Sequence, residues 1–290
     1  MSISSSAMLV ELNLSVWTAA KLDKSETARV VNQNNAASNA AQVRKNLLAG
    51  TSQRKDIADY AAGCRSWHNT RTLPWADKGQ RLLPTSMFLD YKTDLTMRKN
   101  TFARMVDDFL YNYPAIVQTA HNYMGGLFDP NDYPSVDEVR GKFGFRVVFS
   151  PVPESGDFRL DVAQRDLQDI KEEYEENFKG RLADAMREPW ERLHKELSHI
   201  SERLAEPEID GDDVENKRAK PYHASLITNA QNLCSLLTHL NVTRDPDLEQ
   251  ARRQLEKALV GADIEVLRKS PTDRADVKSK VDEILKKYEW

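Results

Sequence analysis

Residues Asp166–Glu206, DLQDIKEEYEENFKGRLADAMREPWERLHKELSHISERLAE, decide how the rest of the chain is read. Leu167, Ile170, Tyr174, Phe178, Leu182, Met186, Trp190, Leu193, Leu197, Ile200 and Leu204 recur every three or four residues. That spacing puts them in one stripe on a helix, with acids and bases on the water side. The mean step of about 3.7 residues exceeds the 3.5 of a left-handed coiled coil, so a straight or slightly right-handed helix is expected. Gly180 is a weak point, and Pro189 should kink the helix or begin a second one. A single helix of this length does not hold by itself. Its stripe has to be covered by the rest of the chain or by another copy, and self-association into a homo-oligomer is expected.

Working outward, residues 207–221 read as a linker, with Pro207, Asp210-Gly211-Asp212-Asp213 and no apolar face. Residues 222–290 read as a C-terminal helical region. Leu226, Ile227, Leu233, Leu236, Leu237 and Leu240 mark one helix, and Asp245-Pro246 and Ser270-Pro271 each place a cap and a first-turn proline.

On the other side, residues 1–153 form a basic α+β region ahead of a long central helix at 154–206. Val10, Leu12, Leu14 and Val16 alternate with Glu11, Asn13, Ser15 and Trp17, the pattern of a half-buried strand. Asp23 and Glu26 suggest a capping box. Val30 to Gly50 reads as a helix broken or mobile near Asn34, and Ser52 to Ser66 as a short helix. Thr70 to Leu83 suggests a hairpin turning at Asp77-Lys78-Gly79. A long helix starts at Pro84, kinks or restarts at Pro114 and stops at Gly125-Gly126. A short helix follows from Ser135. Arg140 to Phe149 is the second strand, expected to pair with Val10–Trp17. The expected fold is mainly α: long amphipathic helices with a small N-terminal β element, a helix-dominated α+β class.

At 290 residues the chain has room for one or two domains. No apolar run reaches the roughly 18 residues of a membrane span, so no membrane partner is expected. Met1 to Ser6 lacks the basic and apolar segments of a secretion signal, which suggests a cytoplasmic protein with Cys64 and Cys234 as reduced thiols. Charge is uneven: residues 1–105 hold 15 Lys and Arg against 8 Asp and Glu, while 106–290 hold 26 against 37. Such a split suits a polyanion at the basic end, attraction between the two parts, head-to-tail self-association, or simply an uneven solvated surface.

One stretch interleaves aromatics with bases: Arg65, Trp67, Arg71, Trp75, Lys78 and Arg81, with Asp77 the only acid between Arg65 and Arg81. Single-stranded nucleic acid asks for this composition, rings stacking on bases while cations meet phosphates. The other reading makes Trp67 and Trp75 core anchors. Phe143 and Phe145, with Val147 and Phe149, share one side of the second strand. That wording is close to the stacking strand of RNA-recognition motifs, apart from the extra Lys142 and the missing alternation of strands and helices. A plain core strand is the alternative.

No catalytic signature appears, and neither an enzyme nor a cofactor is expected. Glu191-x-x-His194 and Glu196-x-x-His199 have di-iron spacing, but lie five residues apart on one helix, roughly 140° from each other. Lys195 stands where a zinc protease needs Glu, so no metal site is expected. No phosphate loop or nucleophile elbow occurs, and Cys64 with His68 is a thiol–imidazole pair with no orienting third group.

Leu12-Asn13-Leu14-Ser15-Val16-Trp17-Thr18-Ala19-Ala20-Lys21-Leu22-Asp23-Lys24 resembles the opening of an uncharacterised family of phage and prophage proteins, often encoded beside MoxR-type AAA+ ATPases and von Willebrand-A-type partners. The resemblance implies a phage origin and work in the cytoplasm of a bacterial host. It assigns no residue a role. Two functions are carried forward: an oligomeric binder of single-stranded nucleic acid, for annealing or protection, and an adaptor or scaffold serving an AAA+ ATPase.

Overall fold

The computed structural model describes residues 3–76, 79–153, 164–205, 224–288 and 290, the side chains of 164–169 excepted. The fold is helix-dominated α+β, as the periodicities predict. In chain order the elements are α1 (Ile3–Ser6), β1 (Ala7–Ser15), β2 (Ala20–Asp23), α2 (Lys24–Gln33), β3 (Val43–Asn46), α3 (Gln53–Arg71), β4 (Leu73–Pro74), β5 (Gln80–Pro84), α4 (Phe88–Met124), α5 (Val136–Arg140), β6 (Gly144–Pro151), α6 (Gln164–Leu204), α7 (Ser225–Leu240), α8 (Pro246–Ala258), α9 (Ile264–Lys269) and α10 (Pro271–Lys287). They fall into two compact units, each built from separated stretches of chain. The first holds Met1–Glu11, Thr70–Leu89 and Phe149–Trp290; the second holds Leu12–Asn69 and Asp90–Val148.

Four strands form a sheet in the order β4-β5-β1-β6, which includes the expected pairing of the first strand with the second aromatic one. β5 runs antiparallel to β1, from Ala7 opposite Pro84 to Glu11 opposite Gln80, and β4 pairs with β5 through Leu73 and Leu82. The expected hairpin therefore forms. Residues 77 and 78 of its turn, and the linker expected at 207–221, lie outside the described residues.

In the first unit the stripe of α6 is covered by the chain's own helices. Leu193, Leu197, Ile200 and Leu204 pack with Leu226 and Leu237 of α7, Leu248 and Leu255 of α8, and Val277, Val281 and Ile284 of α10. Fully burying each such side chain contributes about 1.5–3 kcal/mol. A second cluster joins Phe178, Leu182 and Ala185 of α6 to Leu73, Trp75 and Leu82. Helix α6 runs unbroken through Pro189, so of the two outcomes expected there a second helix does not begin, and Ala185 and Leu193 are buried on either side. Asp245 accepts from the Asp247 and Leu248 amides, and Ser270 from that of Asp273, so both predicted caps are made.

Glu196, on the same helix, has a buried Oε1 with no hydrogen-bond partner among the described residues. Burial raises its pKa, against the pull of His199 and Lys195. An acid whose folded pKa is raised costs stability while ionised, and the cost disappears as pH falls through that folded value. Glu196→Gln is therefore expected to raise the urea midpoint at pH 7, and to gain less than the wild type when both are moved to pH 5.

The second unit gathers Ile57 and Ala61 of α3, Phe102, Phe109, Tyr113 and Ile116 of α4, and Trp17, Leu47, Leu48 and Val139 into one core. Helix α4 continues through Pro114, with Leu110, Tyr113 and Ile116 buried. Ser135 makes a full capping box with Glu138, and Asp23 accepts the Glu26 amide at 3.0 Å. The helix read over Val30–Gly50 breaks near Asn34 as expected, but no helix resumes between there and Gly50. α2 ends at Gln33, capped by Asn34, with Asn35 in the left-handed region at φ 48°. Val43–Asn46 is strand β3, antiparallel to β2. Poor helix formers stop the helix, and the partner that orders this segment is a strand 23 residues earlier in the chain.

A buried ionic cluster pins that hairpin. Lys21 Nζ lies 2.6 Å from Asp132 Oδ1, Lys45 meets Asp132 Oδ2, and Lys45 is also 3.6 Å from Asp23. The Asp132 side chain is 4% exposed and that of Lys45 11%.

Candidate interaction surfaces

The residues expected to bind nucleic acid are divided between the two units. Along α3 the buried positions are Ile57, Ala61, Cys64, Trp67 and His68, a helical spacing that turns Trp67 inward. Trp67 is 7% exposed. Its ring stacks on Tyr91 at 4.7 Å, its Nε1 donates to Asp94 at 3.3 Å, and the Arg98 guanidinium lies over the ring, 4.6 Å from its centroid. Beside it, His68 Nδ1 is 2.7 Å from the Tyr91 hydroxyl, and burial pushes the Tyr91 pKa upward. Trp75 is 5% exposed in the first unit, edge-on to Phe178 at 5.3 Å. Trp67 is enclosed, and Trp75, although it borders a cavity, is only 5% exposed, so both rings pack as core anchors and not as the open stacking faces expected.

The cations follow their rings. Arg65 remains exposed, its Nη2 donating to the Leu14 carbonyl at 2.8 Å. Arg71 is half-buried at the end of α3. Arg81 Nε donates to Thr72 Oγ1 at 2.7 Å, and its Nη2 to the Thr72 carbonyl at 3.0 Å and to Glu188 at 3.3 Å. Burial lowers the Arg81 pKa despite Glu188. Arg192 donates to the Thr70 carbonyl at 2.6 Å and to Glu188 at 3.1 Å, so two arginines clamp one carboxylate of α6 against the start of β4. Lys78 lies outside the described residues. Phe143 and Phe145 are half-buried and edge-on to Phe109 and Phe102 at 5.6 and 5.7 Å, which corrects the reserve stacking platform to a core strand. The signal that would have placed Trp67 is the three- and four-residue spacing from Ile57, had the helix been carried past Ser66. For Trp75 it is the period of two from buried Leu73.

What the first unit does present is a trough along α6. Three adjoining cavities, about 230, 940 and 480 Å³, share Trp75, Asn177 and Arg181 at one junction and Pro74 and Asp184 at the next. Together they follow α6 from Tyr174 to Lys195, roughly 30 Å at 1.5 Å per residue. Trp75, Phe178 and Tyr174 form the apolar part of the lining. The rest mixes signs: Arg181, Arg187, Arg192 and Lys195 against Glu11, Asp184, Glu188 and Glu191. No one charge dominates, which is unlike the uniformly basic channel a nucleic-acid backbone requires.

In the second unit the open feature is β6, the terminal strand of the sheet order. Among the described residues no group of three or more His, Cys, Asp or Glu is placed to hold a metal. None of the helices among them is long and apolar enough to cross a membrane. Neither a protein-family model nor a curated protein nor a solved structure matches the chain.

Proposed function

We propose that this chain is a non-enzymatic interaction protein, an adaptor or scaffold that holds an extended stretch of another polypeptide, and not a protein that stacks on nucleobases. The observation that carries the reading is the long trough beside α6, lined by apolar side chains and by charges of both signs. A cleft of that length suits a peptide, whose side chains supply both signs of charge and apolar anchors. Burial of Trp67 and Trp75 weighs against single-stranded nucleic acid as the partner. The partner suggested by the resemblance at Leu12–Lys24 is an AAA+ ATPase of the MoxR type.

A photo-crosslinking amino acid at Asn177 or Asp184, in the trough, is expected to join the chain to a discrete polypeptide in a bacterial host. The same group at Arg253, which is exposed on α8, is expected to give none. Equal labelling at all three positions, or salt-sensitive retention of an oligonucleotide with no crosslink at 177, would overturn the reading.

A further inference from the structure

We infer that the outer edge of β6, from Gly144 to Val148, docks an acidic, extended segment of another protein as an added strand. This goes beyond the trough: it rests on different residues, in the second unit, and stands or falls separately.

The backbone supplies the first part of the argument. β6 ends the strand order, and among the described residues Gly144 to Val148 make no backbone hydrogen bond outside the sheet. An open edge presents a row of amides and carbonyls ready to pair. The strand is also held in place beforehand. Phe143 and Phe145 lie edge-on to the α4 rings, and a Cβ built at Gly144 would stand 2.7 Å from Ser15 Oγ, so glycine lets β6 close on β1. A partner strand therefore meets an edge that is already ordered.

The side chains choose the partner. Lys142 and Arg146 are exposed, with Glu138 the acid near Lys142, and Val148 beside them is 36% exposed. No Asp or Glu occurs from Val139 to Pro153. Two copies of β6 paired edge to edge would bring like charges together, which destabilises a ladder. An acidic strand meets both requirements, backbone pairing and opposite charge.

The test is fluorescence anisotropy of the full chain with a labelled nonapeptide of alternating valine and glutamate. Saturable binding is expected, weakened at least about tenfold by Lys142→Glu with Arg146→Glu and by exchanging the peptide's glutamates for lysine. Both substitutions are at exposed positions, and circular dichroism checks that the variant is folded. Two further peptides, N-methylated at every valine or at every glutamate, keep the charge but lose alternate amide donors. Because successive residues of a strand turn their amides to opposite sides, one of the two should lose at least about tenfold while the other binds as before. Equal binding by both methylated peptides would reduce the site to a charged patch and overturn the proposal. So would displacement of the peptide by oligothymidylate at lower concentration, an unchanged affinity in the double variant, or no saturation up to roughly 1 mM.

Discussion

Asp132→Ala is expected to destabilise the second unit by about 3 kcal/mol, the lower end of what breaking a buried ion pair costs. The substitution leaves Lys45 almost enclosed, with Asp23 at 3.6 Å and, more weakly, Asp129 as the acids acting on it. Lys21, half-exposed, returns to water at little expense. The pH dependence follows from the same contacts. Burial raises the Asp132 pKa, but hydrogen bonds from Lys21 and Lys45 outweigh it and the net shift is downward. A carboxylate with a depressed folded pKa contributes stability that is present above its unfolded value near 4 and is lost as pH falls through the folded one. Lys45 is raised, by its hydrogen bond to Asp132 above all, so its share is present below the unfolded lysine value and is lost as pH rises through the folded one. The cluster is thus intact across neutral pH. Urea unfolding followed by the fluorescence of Trp17 and Trp67 should show a lower midpoint for the variant at pH 7, and a smaller loss than the wild type between pH 5 and pH 2. A variant unfolding at the wild-type midpoint would mean that the hairpin β2–β3 is held without its ion pairs.

Trp75→Ala is expected to cost about 3–5 kcal/mol, the ordinary penalty for emptying a buried aromatic site. The ring is one side of the cluster that joins β4 and β5 to Phe178 and Leu182 of α6. Trp67→Ala should fall in the same range, because it removes the stacked partner of Tyr91 and the surface beneath the Arg98 guanidinium. The measurable distinction lies in where the loss appears. Both variants should unfold at lower urea, while any oligonucleotide retention changes only with the fraction unfolded. A Trp75→Ala protein that keeps the wild-type midpoint and loses affinity for single-stranded DNA would put that ring back at the surface and restore the nucleic-acid reading.

Elements whose cause is local could be read directly from the residues. The stripe of α6 from Ile170 to Leu204, the alternation at Val10–Val16, and the caps at Asp23, Ser135, Asp245 and Ser270 all depend on neighbours within a turn or two. For these, periodicity and capping chemistry are the same physics that forms the element. The helix-dominated class followed. Helix α9 and strand β3 did not: one is six residues long, and the other is a strand because Ala20–Asp23 offers it an edge.

The candidate site was misread for a related reason. A run that mixes tryptophan with arginine has the same composition whether the rings stack on bases or on the protein's own groups. The difference is made by Tyr91, Asp94 and Arg98 around Trp67, and by Phe178 from a helix about a hundred residues beyond Trp75. The amino-acid order by itself determined which faces are apolar and where helices begin. The tertiary structure alone decided what those faces meet. It put separated segments into two compact units, enclosed both rings, spent Arg81 on Glu188, and made β6 the last strand of the sheet among the described residues, because burial and strand pairing depend on residues brought together from far apart in the chain.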